Sequence, residues 1–149
     1  MERMRKMAVK KKEKIVVTKG KKKKAVARVR IREGKGAIRI NRKLIDSIEE
    51  NYSKEVILEP IKIAEEVLGN NFYEKLDISI NAQGGGIMGQ AHAARTALGK
   101  ALIEWTGNEK LKEKYLEYDR SLVIDDIRQK EPKKYLRKGA RAKPIKSYR

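Results

Sequence analysis

The stretch GGGIMGQ, residues 84–90, ends a run of alternating apolar residues and opens a helical pattern. Backbone N–H groups left free at such a helix start, with the positive end of the helix dipole behind them, suit a phosphate. Three readings stay open for Gly84, Gly85, Gly86 and Gln90: a tight strand-to-helix turn, a contact to a nucleic-acid phosphate, or a mononucleotide site. The last glycine is followed by Gln90-Ala91, not by the Lys and Ser/Thr of a phosphate-binding loop, and the dinucleotide spacing is not met. The single histidine, His92, sits in the first turn of the expected helix and reads as a packing or surface residue. Asp125-Asp126 is an adjacent acidic pair and reads as a cap or an ion-pair partner. No Ser or Cys nucleophile has an evident base beside it, and no zinc or calcium pattern occurs. No enzyme, cofactor or metal is expected.

The remaining chemistry is cationic. The chain carries 38 Lys and Arg against 20 Asp and Glu, a formal net charge of +18. The surplus lies at the ends: residues 1–30 are net +12, residues 128–149 net +9, and residues 31–127 net −3. KGKKKK, residues 19–24, has no interleaved acid and runs into AVARVRIR, so Lys21, Lys22, Lys23 and Lys24 are expected to meet phosphates. At the other end, KKYLRKGARAKPIKSYR holds eight Lys and Arg in seventeen residues, with no acid. Its spacing suits an extended arm tracking a nucleic-acid backbone through Lys133, Lys134, Arg137, Lys138, Arg141, Lys143 and Lys146, with tyrosines free to stack on unpaired bases. From Gly139 such an arm reaches at most roughly 36 Å.

The elements that must carry these groups follow from periodicity. IVVTKG, residues 15–20, reads as a strand. In AVARVRIR, Ala25, Ala27, Val29 and Ile31 point one way and Val26, Arg28, Arg30 and Arg32 the other, a half-buried strand with arginines on its open face. EGKG is expected to turn the chain so that AIRIN, residues 37–41, pairs back as a hairpin and adds Arg39 to the same face. Ser53 is expected to cap a helix through KEVILEPIKIAEEVL that kinks or divides at Pro60. LDISI reads as a strand with Leu76, Ile78 and Ile80 inward. The helix after the glycines shows an apolar face of Ala91, Ala94, Leu98, Ala101, Leu102 and Trp105, and Asn108 caps a shorter one. SLVID, residues 121–125, reads as a last strand.

The layout is a basic lead over residues 1–14, an α/β (α+β) two-layer domain over 15–127 with helices on one face of a mixed sheet, and an extended basic tail over 128–149. There is no cysteine, so no disulfide framework. The basic N-terminal residues have no apolar stretch behind them, so no secretory signal is expected. No membrane partner is expected either.

Three stretches carry a family resemblance: KGKKKKAVARVRI, LDISINAQGGGIMGQAHAARTALGKAL and YDRSLVIDDIRQKEPKKYLRKGARAKPIKSYR. Together they resemble the small-subunit ribosomal protein nine family in its archaeal and eukaryotic form, over about residues 15–149. The resemblance implies a two-layer α/β domain with a left-handed βαβ crossover, like the second domain of ribosomal protein S five and like one class of small-molecule kinases. It implies a cytoplasmic, ribosome-bound monomer, a structural constituent of the small subunit that binds rRNA in the head beside neighbouring ribosomal proteins. Lys22 to Lys24, Arg28 and Gly84 to Gly86 fall on segments matching rRNA contacts, and Arg95 is carried with them. The tail would reach the peptidyl site, with Ser147, Tyr148 and Arg149 against tRNA. The family often has Asn-Gly after the second hairpin strand, whereas Asn41 is followed by Arg42 here, which leaves that turn type open. Ile145 stands where a Gln is common. The alternatives are a nucleotide-phosphate-binding enzyme of the related kinase fold and a free nucleic-acid-coating protein.

Overall fold

A computed structural model describes residues 14–69 and 72–142. Five strands are present: β1 (Ile15–Lys22), β2 (Ala25–Glu33), β3 (Ile38–Ile40), β4 (Lys43–Leu44) and β5 (Leu76–Gln83). Three α-helices accompany them: α1 (Asn51–Leu68), α2 (Ile87–Thr106) and α3 (Glu109–Tyr118). The sheet order is β1-β2-β5-β3-β4. β3 and β5 run parallel, joined through α1, and the other neighbours are antiparallel, so the sheet is mixed.

The alternation of β2 is realised residue by residue. Ala25, Ala27, Val29 and Ile31 are buried, while Arg28, Arg30 and Arg32 are exposed. β5 matches it with Leu76, Ile78, Ile80 and Ala82 inward. Period-two patterning on one solvated sheet face produces this split. The buried face is covered by α2, which lies on β1, β2 and β5; α1 packs on α2, and α3 packs on α1 and α2. Ala91, Ala93, Ala94, Ala97, Leu98, Ala101 and Leu102 are all buried, so α2 is enclosed on most of its circumference. Its close seat depends on Gly20 of β1, where a Cβ would stand 2.3 Å from the Ala93 carbonyl oxygen and 2.5 Å from the Ala97 nitrogen. Thr18 Oγ1 donates to the Ala97 carbonyl at 2.7 Å, locking the same register.

Several expectations are corrected. AIRIN does not pair back on β2. β5 takes the place beside β2 with eight paired positions, and β3 lies on the far side of β5. The long apolar β5 requires partners on both edges, and the loop over residues 34–37 arches across its start to supply the second. Asp77 pins that arch, accepting the N–H of Lys35 at 3.0 Å and of Ala37 at 3.4 Å.

Ser53 is not the cap of α1. Glu50 occupies that position, and the buried Ser53 hydroxyl donates to its carboxylate at 2.9 Å from within the first turn. α1 passes Pro60 as one continuous helix, and the Tyr115 hydroxyl donates to the Pro60 carbonyl at 2.6 Å. SLVID is not a strand: residues 120–122 form a 3-10 turn, because Asp119 accepts from the Ser121 N–H at 2.8 Å. Just beyond it, Lys22 and Asp126 form an isolated parallel bridge. Asn108 does cap α3, accepting from the Lys110 N–H at 3.0 Å, and Gly107 ends α2 in the left-handed region at φ 63°.

Candidate nucleic-acid interface

The sheet register arranges the open-face side chains in rows. Arg30 stands opposite Val17 on one side and Ser79 on the other, and Ser79 stands opposite Arg39. The next row is Lys19, Arg28 and Asn81, and the row on the opposite side is Ile15, Arg32 and Asp77. Along β2 the arginines recur about 7 Å apart, and neighbouring strands lie about 4.8 Å apart. The result is a flat lattice of cations and amide or hydroxyl groups. Arg30, Arg32, Arg39 and Ser79 line a hollow of about 230 Å³ in it. Among the described residues only Arg32 of the four arginines has a carboxylate partner, Asp77 at 3.1 Å. The Lys35 N–H bond, helped by Ala37 and Arg32 against the opposing effect of burial, holds the Asp77 carboxyl below its ordinary range.

At one end of this face two turns come together. The β1–β2 turn carries Lys23 at φ 54°, with Lys23 and Lys24 exposed. Beside it, Gly84 and Gly85 take φ of 75° and 66°, and Gly86 caps α2. A Cβ on Gly84 would meet the Lys24 carbonyl oxygen at 2.7 Å, so the glycines permit the two turns to touch. The Gln90 amide donates to the Gly84 carbonyl at 3.2 Å and braces the loop. The arrangement places the N-terminus of a 20-residue helix next to exposed lysines, a setting suited to phosphate. His92 is half-buried two residues further on. Burial first, then the charges of Lys22 and Arg95, lower its pKa.

Arg95 is corrected. It is buried beneath this surface, with its guanidinium between Glu59 of α1 and Asp119. Its Nη1 donates to Asp119 at 2.8 Å and to the Ser121 hydroxyl at 2.9 Å. It ties α1, α2 and the residues after α3 together. Burial acts to raise the Asp119 carboxyl, but the Ser121 and Arg95 hydrogen bonds outweigh it and hold it at about 2.

In the tail, Lys133, Lys134, Lys138 and Arg141 are exposed and Arg137 is half-buried. A turn at 134–137 closes with the Arg137 N–H donating to the Lys134 carbonyl at 3.2 Å. Arg141 grips Glu131 through two bonds of 3.0 and 2.6 Å, so residues 131–141 form a clasped loop. Tyr135 is 91% and Leu136 80% exposed, leaving both free to stack or pack on a partner. Lys143, Lys146, Ser147, Tyr148 and Arg149 lie outside the described residues. Sequence reading missed Asn81 and Lys100, which border the basic surfaces. The adjacent Asp125-Asp126 was the one signal for the contacts at the tail's root. Among the described residues no helix is long and apolar enough to cross a membrane, and no group of three or more His, Asp or Glu could hold a metal.

Comparison with known proteins shows the family of the chain. Residues 20–149 match the family model described as ribosomal protein S9/S16. The chain is 48% identical over 136 residues to the small ribosomal subunit protein uS9 of Methanothrix thermoacetophila, covering 91% of this chain and 99% of the relative. It is also 48% identical over 138 residues to the protein of the same name from Methanococcus maripaludis strain C7, again covering 91% and 99%. The family match spans β2 to β5, the glycine turn and the tail together. The chain belongs to the ribosomal protein S9/S16 family.

Proposed function

We propose that this chain is a structural constituent of the small ribosomal subunit, without enzymatic activity, acting on the ribosome in the cytoplasm. It binds rRNA through two surfaces of the body: the open sheet face of Arg28, Arg30, Arg32 and Arg39, and the paired turns of Lys21–Lys24 and Gly84–Gly86. The tail then continues along RNA through Lys133, Lys134, Arg137, Lys138, Arg141, Lys143 and Lys146, and Ser147, Tyr148 and Arg149 meet tRNA at the peptidyl site. The protein acts as one copy among neighbouring proteins of the subunit head. The observation that supports this reading best is the set of exposed arginines on a regular lattice, with Arg28, Arg30 and Arg39 lacking a carboxylate partner among the described residues. A folded body whose middle is net −3 has no internal reason to keep such a face, and polyanions are its natural complement.

The test is sedimentation of cell extract through sucrose at low and high salt, combined with deletion of residues 147–149. The chain should travel with small subunits and leave them only at high salt. The deletion should preserve assembly and weaken peptidyl-site tRNA binding. Travel of most of the chain outside ribosomal particles overturns the reading, and unchanged tRNA affinity after the deletion overturns its tRNA part.

A further inference from the structure

Two carboxylates lie between the two most basic parts of the molecule. Asp126 Oδ2 is 3.4 Å from Lys22 Nζ and 2.7 Å from Arg128 Nη2. Asp126 Oδ1 accepts the Arg128 N–H and the Arg128 Nε–H, each at 3.0 Å. Its backbone N–H donates to the Lys21 carbonyl at 3.0 Å. Asp125 Oδ1 accepts the Lys21 N–H at 3.1 Å and lies 2.7 Å from Lys100 Nζ on α2. β1 is the edge strand of the sheet, so these bonds occupy backbone groups that no strand satisfies. Four residues of β1, α2 and the tail root, Lys21, Lys22, Lys100 and Arg128, thus converge on two adjacent acids.

We infer that Asp125 and Asp126 are a clamp that fixes the direction in which the basic tail leaves the body, making the Lys21–Lys24 turn and the tail one continuous RNA-facing surface. The inference rests on the proposed reading of the tail as an RNA- and tRNA-contacting arm. Its physical basis is independent of that reading. Lys22, Lys100 and Arg128 would repel one another at this proximity, and the tail beyond Arg128 carries a large surplus of positive charge. Repulsion alone would swing the tail away from the lysine turn. The two carboxylates reverse that sign where the chain leaves β1. The backbone bonds at Lys21 then set an orientation that ion pairs alone would leave loose. An arm held at its root searches a smaller volume, and its effective concentration at a fixed distant site is higher. The clamp residues touch no ligand. They act through the residues that do.

The chain has no cysteine, so labels can be placed without background. Spin labels on Glu113→Cys in α3 and Lys130→Cys just past the clamp report the root orientation in the free full-length protein. A narrow distance distribution is expected for the parent. Asp125→Asn with Asp126→Asn should broaden it at least about twofold, and Asp126→Glu should keep it narrower than Asp126→Asn. Lys100→Gln removes the partner of Asp125 from the helix side and should broaden it too, which decides the matter if the double variant folds poorly. In reconstituted small subunits, the double variant should lower peptidyl-site tRNA affinity roughly fivefold. An unchanged distribution in both the double variant and Lys100→Gln overturns the clamp, whatever deletion of 147–149 does. A broadened distribution with unchanged tRNA affinity leaves the clamp standing and overturns the tRNA-contacting reading of the arm.

Discussion

The molecule holds its positive charge in two different ways. On the sheet face, Arg28, Arg30, Arg32 and Arg39 inherit their spacing from strand register, and α2 behind them fixes the sheet. In the tail, similar side chains stand on backbone with no ladder, ordered by one turn, the Glu131–Arg141 clasp and the contacts at Asp125 and Asp126. The same charge therefore serves two purposes. On the proposed reading, a lattice whose spacing is fixed by the sheet would suit the shape of a folded RNA. A jointed arm gives reach and follows a backbone it did not anticipate. The acidic stretch over residues 45–74, with eight Asp and Glu against two Lys, lies on the segment that carries α1, away from the sheet's open face. This segregation lets one small body be an anion-binding platform on one side without repelling itself on the other.

The largest effect should come from unseating the lattice without touching a charge. In Gly20→Val the new side chain meets the Ala93 and Ala97 backbone, which cannot move without displacing α2. Destabilisation of about 3 kcal/mol is expected, read by denaturant unfolding, with rRNA binding lost in proportion to unfolding. A tail substitution of equal bulk should leave stability unchanged. A neutral Gly20→Val would mean that the face is not positioned by that seat.

Next come the charges themselves. Alanine at Arg28, Arg30, Arg32 and Arg39, and separately at Lys133, Lys134, Arg137 and Lys138, should each flatten the salt dependence of rRNA binding. The expected change is roughly 0.7 to 0.9 log units of slope per lost phosphate contact. The difference should appear in the footprint. The sheet set should alter which RNA segment is protected, and the tail set should only shorten the protected tract. Equal footprints would erase the distinction between lattice and arm.

A smaller effect tests the contact between α2 and the residues after α3. The Asp119 carboxyl titrates near 2 in the folded chain against an ordinary 3.8. A lowered folded pKa gives stability that is present above the unfolded value and lost as pH falls. Thermal stability should therefore decline between about pH 4 and pH 2. Asp119→Asn should be less stable than the parent at pH 7 and should show a shallower decline in that window, with Asp77, Asp126 and Glu131, also lowered, supplying what remains. Parallel pH curves for parent and variant would show that Asp119 is not coupled to folding.

How much of this was legible from sequence differs along the chain for physical reasons. Alternation in AVARVRIR gave both faces of β2, because a half-buried strand leaves a period of two whatever its neighbours. It did not give the neighbours. Proximity in sequence favours pairing AIRIN with β2, yet β5, with eight paired positions along β2, takes that place. SLVID carried a strand's composition, but the Asp119 carboxylate bonding to Ser121 favoured a 3-10 turn. Arg95 looked like one more cation because its carboxylates come from α1 and from the residues after α3, and only the packing of both against α2 brings them to it. The glycine turn was legible as a turn and as a phosphate candidate. Its partnership with the Lys23-Lys24 turn needed the sheet.

The smallest expected effect lies at the edge of the lattice. Asn41 and Arg42 have φ of 46° and 73° and join the Ile40–Lys43 pair, so both central residues of the turn meet the positive-φ condition of a type I′ hairpin. Asn suits the first position, and here its Oδ1 accepts the Ala82 N–H at 2.9 Å. Arg at the second position holds its Cβ in a strained conformation that Gly would relieve. Arg42→Gly should therefore stabilise the chain by about 0.5–1 kcal/mol, net of the extra entropy glycine brings to the unfolded state. That corresponds to a rise of about 2–4 °C in Tm. Arg42 is exposed and has no ion-pair partner among the described residues, so nothing within the fold compensates the strain. If Tm rises and rRNA affinity holds, the lattice ends at Arg39. If Tm rises while affinity falls, the strained arginine is retained for its charge, and the rigid face extends through the β3–β4 turn.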